Sequence, residues 1–384
     1  MHAAPAMKLM MPLLVATAVA SCAGSDDGAT GPGPDLILGE DEEKEDAAPG
    51  VEVAGFLDPA RAVDGAFTTS VPRLGYVFYA KAGTSVGVEI TRAGSATGLD
   101  TELRLHGPRD AFGRYPAQLA EDDDAGYGKL SKVDDLTIPA DGFYLAELAP
   151  KTAPTARKPV RLALTCDGGS CERPAAPIGN DLRWAARSAE YRAQSIQAYA
   201  LATARLQARA ATGLPAAWGV VLDIDETTLS NLTYQQERGE LGVAYSTTSW
   251  QAWVARKAAT PMPGAKAFLD RVRALGGKVV LVSNRKQDGE CPATADNLAA
   301  VGIRPDAMLC RTSTSDKNPR FSAVAAGTAG LPPLEVVLFV GDNIQDFPAL
   351  SQDVRDDGDD ALAGFTDRFV LLANPMYGSW EKNL

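Results

Sequence analysis

Histidine is nearly absent from this 384-residue chain, which holds only His2 and His106. That scarcity excludes a route that passes phosphate through one histidine with others assisting it. A Ser-His-Asp hydrolase would have to run every step through His106. Cations are also in deficit, since 37 Lys and Arg face 49 Asp and Glu for a net charge of −12. Such a field argues against a nucleic acid polymer as partner. It leaves room for a small phosphate ester, because a few local cations outweigh the mean field at one site. Much of the acid lies in two runs, residues 40–46 and 353–360, of the kind that sits solvated on a surface.

Long hydrophobic runs are missing too. The apolar stretch behind Met7-Lys8, residues 9–20, is too short to cross ~30 Å of hydrocarbon as a permanent helix. A basic start, a short apolar centre and small residues before a cut site describe a secretory signal, and Met7 serves well as its start. Val19-Ala20-Ser21-Cys22 resembles the bacterial lipobox, in which the cysteine becomes the lipidated first residue of the mature protein. The alternative is an ordinary secretory signal with an incidental cysteine. The resemblance implies an exported protein anchored to a bacterial lipid membrane through acylated Cys22. Ala23 and Gly24 behind it favour the outer membrane over the inner. Residues 23–50, rich in Gly, Pro, Asp and Glu, bury too little apolar surface to offset ordering entropy and read as a disordered tether.

Cysteines number 5. With Cys22 set aside, Cys166, Cys171, Cys291 and Cys310 remain, and an exported compartment permits disulfides. Cys166 and Cys171 flank the turn-prone Asp-Gly-Gly-Ser and suit a small closed loop, which leaves Cys291 to Cys310. Their spacing matches no Cys/His zinc pattern.

What is present divides the chain by period. Residues 51–166 read as short strands, among them Tyr76-Val77-Phe78-Tyr79, Val86-Gly87-Val88-Glu89-Ile90, Glu102-Leu103-Arg104-Leu105 and Phe143-Tyr144-Leu145-Ala146, separated by turn signals. An all-β sandwich follows. The order of an aromatic strand, an Ala-Gly-Thr turn, Leu-Asp-Thr-Glu-Leu, an acidic loop and Asp-Gly-Phe-Tyr resembles the bacterial pre-peptidase C-terminal jelly roll. In the acidic loop, Asp122-Asp123-Asp124 offers the oxygen donors that Ca2+ takes, against the plainer expectation of a solvated loop tip.

After a linker, 167–178, the pattern turns helical. Trp184, Ser188, Tyr191, Ile196, Tyr199, Ala202 and Leu206 mark an amphipathic helix over 181–211, broken once. Apolar strands at 219–222, 278–282 and 336–340 then alternate with helices at 265–275 and 293–301. Strands apolar throughout and separated by helices predict a Rossmann-like α/β domain, a parallel sheet covered on both faces, over 179–384. Ligands of such sheets bind beyond the carboxyl ends of the strands.

The chemistry-bearing residues fall at those ends. Val220-Val221-Leu222 leads into Asp223-Ile224-Asp225-Glu226-Thr227, where alternate side chains share one side, so Asp223 and Asp225 face the crevice and Ile224 the core. Val279-Val280-Leu281-Val282 ends in Ser283-Asn284-Arg285. Residues 336–340 end in Gly341-Asp342-Asn343-Ile344-Gln345-Asp346, and Ser315-Asp316-Lys317 supplies a cation. One carboxylate to attack and one to handle protons is the division that covalent catalysis needs.

This set resembles the haloacid dehalogenase superfamily, and within it the exported acid phosphatases that include bacterial class C lipoprotein enzymes. Further points of likeness are Trp184 to Tyr191, Trp250-Gln-Ala-Trp253, Pro263-Gly264-Ala265 and the closing Asn374-Pro-Met-Tyr-Gly-Ser-Trp380-Glu. The stretch from Asp223 to Tyr234 is also similar to plant acid phosphatases and vegetative storage proteins. The resemblance implies that Asp223 attacks phosphorus and that Asp225 protonates the leaving alkoxide and then activates water. It implies that Ser283 binds a phosphoryl oxygen and Lys317 neutralises charge. Mg2+ is implied at Asp223, the backbone carbonyl of Asp225 and Asp342, with Asp346 orienting metal-bound water. Thr227, Asn284, Arg285, Trp250 and Tyr377 are expected on the substrate side, with Thr227 also capping its turn. A small cap is expected within 231–253, where Tyr234, Trp250 and Trp253, with Tyr377, are candidates to stack a planar leaving group. The expected activity is hydrolysis of small phosphate monoesters, nucleoside monophosphates among them. Two alternatives use the same fold: a surface binding or storage protein, and a phosphotransferase to an alcohol acceptor.

Overall fold

The computed structural model describes residues 51–383, apart from 70, 94–97, 111–112 and 175–177. The secretory signal, the tether and Cys22 therefore lie outside the described residues.

In the N-terminal part, strands β1 (Glu52–Phe56), β2 (Val63–Phe67), β3 (Leu74–Ala80), β4 (Ser85–Arg92), β5 (Thr101–His106), β6 (Gln118–Asp122), β7 (Lys132–Thr137), β8 (Gly142–Pro150) and β9 (Lys158–Asp167) form two sheets. Their orders are β1-β3-β8-β5-β6 and β2-β9-β4-β7. Alternation decides which residues go inside. Phe78, Tyr144, Leu103 and Leu105 of the first sheet meet Phe67, Val88, Ile90 and Leu162 of the second in one core. Pairing is antiparallel except for β1, which runs parallel to β3 at the sheet edge. Cys166 and Cys171 are joined as a disulfide at the end of β9. Asp122 spends its Oδ2 on the N–H groups of Ala125 (3.0 Å) and Lys132 (2.8 Å), and Asp123 pairs with Lys151. Asp122 and Asp123 are thus engaged from within the domain.

The C-terminal part opens with α1 (Asn180–Arg187) and α2 (Ala189–Thr212). The break falls at Ser188, whose side chain accepts from the Tyr191 N–H and caps α2. Next come β10 (Trp218–Leu222), β11 (Leu229–Ser230), α3 (Leu232–Leu241), α4 (Thr247–Arg256), β12 (Thr260–Pro261), α5 (Ala265–Ala274), β13 (Lys278–Lys286), α6 (Cys291–Ala300), β14 (Ala307–Arg311), α7 (Asn318–Ala326), β15 (Glu335–Gly341), α8 (Gly364–Asp367) and β16 (Phe369–Leu371). The main sheet is parallel, in the order β14-β13-β10-β15-β16. Val220, Leu222, Val279 and Leu281 pack with Tyr199, Leu206, Phe268 and Leu269 of α2 and α5. Val221, Val280 and Val282 pack on the opposite face with Phe321 and Val324 of α7. Two covered faces explain why these strands are apolar at every position.

Between β10 and α5 the chain builds a cap, with α3 and α4 bracketed by the β11–β12 pair. A second disulfide, Cys291 to Cys310, ties the start of α6 to β14. Among the described residues no helix is long and apolar enough to cross a membrane.

Candidate active site

Register sets the geometry. Leu222, the last residue of β10, lies between Leu281 of β13 and Val340 of β15. The residues just beyond these positions therefore meet at one edge, at the point where strand order reverses. Asp223 N–H donates to Val340 C=O at 3.0 Å, carrying the ladder one residue past the strand. Lys317, directly before α7, reaches this edge and donates Nζ to Asp223 Oδ1 (2.7 Å) and Asp346 Oδ1 (2.5 Å). Asp346 turns its Oδ2 back to the N–H groups of Asp342 (3.1 Å) and Asn343 (2.9 Å). That return needs Gly341, because a Cβ there would collide with the Asp346 side chain.

Asp342 is aimed from both sides. Thr227 Oγ1 donates to its Oδ1 at 2.8 Å and Asn374 Nδ2 to its Oδ2 at 2.9 Å. Ligand atoms of Asp223, Asp342 and Asp346 all lie within 4.8 Å of one another. Burial, helped by Asp346 and Asp225 and opposed by Lys317, leaves the Asp223 carboxyl pushed up to about 8. Burial, then Asp346 and Asp223, hold Asp342 well above the carboxylate range. Burial and mutual repulsion thus disfavour the ionised form of carboxyls that face one ammonium, and a cation among them would relieve that cost on a donor set made only of oxygen. Those two properties fit a hard divalent cation such as Mg2+.

Asp225 looks elsewhere. Its carboxylate receives Arg285 Nε (3.0 Å) and Nη2 (2.7 Å) and Asn231 Nδ2 (2.8 Å). Arg285 is buried, with Nη1 on Thr294 Oγ1 (2.8 Å) and its guanidinium 5.2 Å from the Trp250 ring centre. Asn231 links the cap to this group, since its Oδ1 accepts from Trp253 Nε1 (2.8 Å) and Arg285 Nη2 (3.1 Å). Glu226, at φ 50, turns the chain sharply after Asp225. Its buried carboxylate accepts from Asn231 N–H (2.6 Å) and Nδ2 (3.1 Å) and from the Tyr377 hydroxyl. Burial first, and Asp225 second, push that carboxyl up to about 8.

Some expected substrate contacts face inward instead. Thr227 is fully buried on Asp342, and Arg285 belongs to Asp225 because β13 continues to Lys286 and directs it under the cap. Trp250 and Tyr377 retain 9% exposure each, the first edge-on to Tyr234, the second bonded to Glu226. Trp253 is core, tied to Asn231. Ser283 sits at the crevice edge of β13, where its Oγ accepts from Arg285 N–H at 3.1 Å, and Asn284 Oδ1 accepts from Arg320 Nη2 at 2.6 Å. Sequence reasoning missed Glu226, Asn231, Asn374 and Arg320 as members of the site. Asn374 stood at the head of the closing phrase, and Glu226 and Asn231 within the stretch from Asp223 to Tyr234, each without a role of its own.

Fold and site together define a phosphoric monoester hydrolase built on a parallel α/β sheet. Residues 171–380 match the family model described as HAD superfamily, subfamily IIIB (acid phosphatase), and the chain belongs to that family. Among solved structures it is similar to the class C acid phosphatase of Bacillus anthracis, with 30% identity and a TM-score of 0.48 over 52% of this chain and 85% of that one. The N-terminal part is similar to the pre-peptidase C-terminal domain of a Bacillus anthracis collagenase (11% identity, TM-score 0.23, 30% of this chain, 94% of that one). It is also similar to PliG, a periplasmic inhibitor of g-type lysozyme from Aeromonas hydrophila (18% identity, TM-score 0.23, 30% and 99%).

Proposed function

We propose that this phosphatase hydrolyses small phosphate monoesters through an aspartyl-phosphate on Asp223, with Mg2+ bound. The observation that carries the reading is Lys317 Nζ at 2.7 Å from Asp223 Oδ1, beside an all-oxygen acidic cluster at the carboxyl end of the central strand. Asp223 attacks phosphorus as the bond to the leaving oxygen breaks, and Asp225 gives that oxygen its proton. Water then attacks the phosphorus of the acyl phosphate, Asp225 takes the water's proton, and inorganic phosphate leaves. Asp223, Asp342 and the backbone carbonyl of Asp225 would hold Mg2+, which would screen the repulsion between the attacking carboxylate and the anionic substrate. Ser283 and Lys317 orient the phosphoryl oxygens.

Hydrolysis of a chromogenic phosphate ester with and without Mg2+, in the parent and in Asp223→Asn, tests this. The expected result is Mg2+-dependent turnover that the variant loses. Undiminished turnover in the variant overturns the mechanism, and an inactive parent from acid to neutral pH turns the reading to a binding or storage protein. Nucleoside monophosphates are proposed among the better substrates, supported by Tyr245 of the cap, which is only partly buried and lies 6.4 Å from the Trp250 ring centre. Equal turnover of nucleotides and aliphatic esters in both the parent and Trp250→Ala counts against it.

Export and lipid anchoring at Cys22 are proposed with it. Support comes from the residues around Val19-Ala20-Ser21-Cys22 and from the two disulfides, which suit an oxidising compartment. Mass spectrometry of the mature N-terminus should find acylated Cys22. An unmodified terminus further downstream overturns it.

A further inference from the structure

We propose that the β-sandwich seats the cap, and thereby positions the Asp225–Arg285 pair; this rests on the reading of Asp225 as the acid and base of the reaction. An edge strand exposes unpaired backbone groups and must be covered. Here the cover is the cap. Arg238 of α3, 4% exposed, donates Nη1 to the Val53 C=O of β1 at 2.7 Å and Nε to Ala244 C=O at 2.9 Å. Ser246, which caps α4, donates its hydroxyl to the Glu52 carboxylate. Below these polar contacts, Leu241 and Val243 pack on Phe56, Val77, Leu145 and Phe143 of the first sheet's outer face. Arg173 covers the Phe56 ring, 3.7 Å from its centre, and pairs with Glu240 of α3.

The guanidinium is the telling group. Burying a charge is costly unless every donor finds a partner, and Arg238 takes partners from both the sandwich and its own cap loop. The seat continues inward. Tyr234 and Trp250 meet edge to face, 5.3 Å between centres, and Trp253 holds Asn231, which with Arg285 holds Asp225. Each link has a fixed partner, buried as far as Asn231 and part-buried at Asp225 itself, so displacement of α3 and α4 displaces what grips Asp225. The sandwich is therefore a positioning element of the enzyme.

The test uses the full chain and two readouts, amide exchange over 232–256 and kcat against KM for a small chromogenic ester. Arg238→Met and Phe56→Ala should each speed exchange in that segment by about tenfold. Both should lower kcat by about tenfold while KM holds. Glu52→Ala should follow in the same direction, and Glu52→Gln, which still accepts from Ser246, should restore the parent's values. Asp64→Ala breaks an ion pair with Arg161 in the other sheet and should leave the cap unchanged. Exchange no faster in Arg238→Met and Phe56→Ala than in Asp64→Ala overturns the proposal. Faster exchange with unchanged kcat overturns the positioning of Asp225. If the parent does not turn over, exchange alone decides, so the failure of the catalytic reading is told apart from the failure of the seat.

Discussion

Arg285 grips the carboxylate of Asp225 from a position where its own side chain is 1% exposed, with Nη2 2.7 Å from Oδ1. A cation so buried exists there only because Asp225, Asn231 and Thr294 satisfy it. In return, Asp225 is held in one orientation on the crevice side of the turn.

Removing that grip should cost catalysis more than binding. General acid and base catalysis contributes about 10²–10⁴-fold, and Arg285→Ala should forfeit about 10²-fold of it in kcat with little change in KM. Arg285→Lys should recover only part, since an ammonium lacks the fork that meets two acceptors. Steady-state kinetics on the three proteins checks this. An equal rise in KM would show instead that Arg285 binds substrate directly.

The acidic cluster predicts linkage between metal and stability. A ligand at about 100 times its Kd stabilises by about 2.7 kcal/mol, so Mg2+ should raise Tm and a chelator should lower it. Asp342→Asn should blunt that rise, because it halves the donors of a carboxylate that Thr227 and Asn374 hold in place. Thermal unfolding with and without Mg2+ measures it. An identical rise in the variant places the ion elsewhere.

Much of this site was legible in sequence because strand ends announce themselves. Val220-Val221-Leu222, Val279 to Val282 and Val336 to Val340 are apolar for a reason that also aims Asp223, Ser283 and Asp342 at one crevice. What was illegible depends on partners brought from afar. Arg285 follows Ser283 by two residues and could be read as facing substrate, yet β13 runs on to Lys286 and carries it beneath Trp250. Asn231 is one polar residue at the mouth of the cap, and nothing in its neighbours shows that it joins Trp253 to Asp225. Edge strands β1, β14 and β16 escaped because each is only partly buried and lacks the continuous apolar run that marks the central strands.

Gly341→Ala should damage the site without touching a charge. The added Cβ meets the Asp346 side chain, so Asp346 must leave the N–H groups of Asp342 and Asn343. Overpacking of this kind costs about 1–3 kcal/mol, and kcat should fall as Lys317 loses its second carboxylate. Denaturant unfolding and kcat on one preparation give both numbers. Parent-like values in each would mean that the loop yields freely.

The two disulfides should differ in worth. Cys291–Cys310 spans a sequence separation of 19, and Cys166–Cys171 one of 5. Loop entropy assigns about 3 kcal/mol to a loop of the longer kind and less to the shorter. Cys291→Ser with Cys310→Ser should therefore lower stability more than the matching pair of changes at 166 and 171. It should also lower kcat, since Thr294 of α6 holds Arg285. Equal losses from the two double variants would contradict the loop argument.

Asp306 gives a pH test away from the catalytic cluster. Its Oδ2 accepts from Val279 N–H at 2.9 Å and its Oδ1 from Lys278 Nζ at 3.0 Å, fastening β14 to the start of β13. Burial pushes its carboxyl up, but those two partners outweigh burial and hold it below the usual range. The folded-state value is thus lower than the unfolded one. Stability from the charge is therefore fully present above the unfolded value, ~3.9, and is lost as pH falls through the folded one. Asp306→Ala should destabilise by about 1–2 kcal/mol at neutral pH. The gap to the parent should narrow steadily below pH ~4, where the parent's carboxylate also takes a proton. Denaturant midpoints of both proteins across acid to neutral pH decide it, and a gap that stays constant into acid would assign the loss to packing.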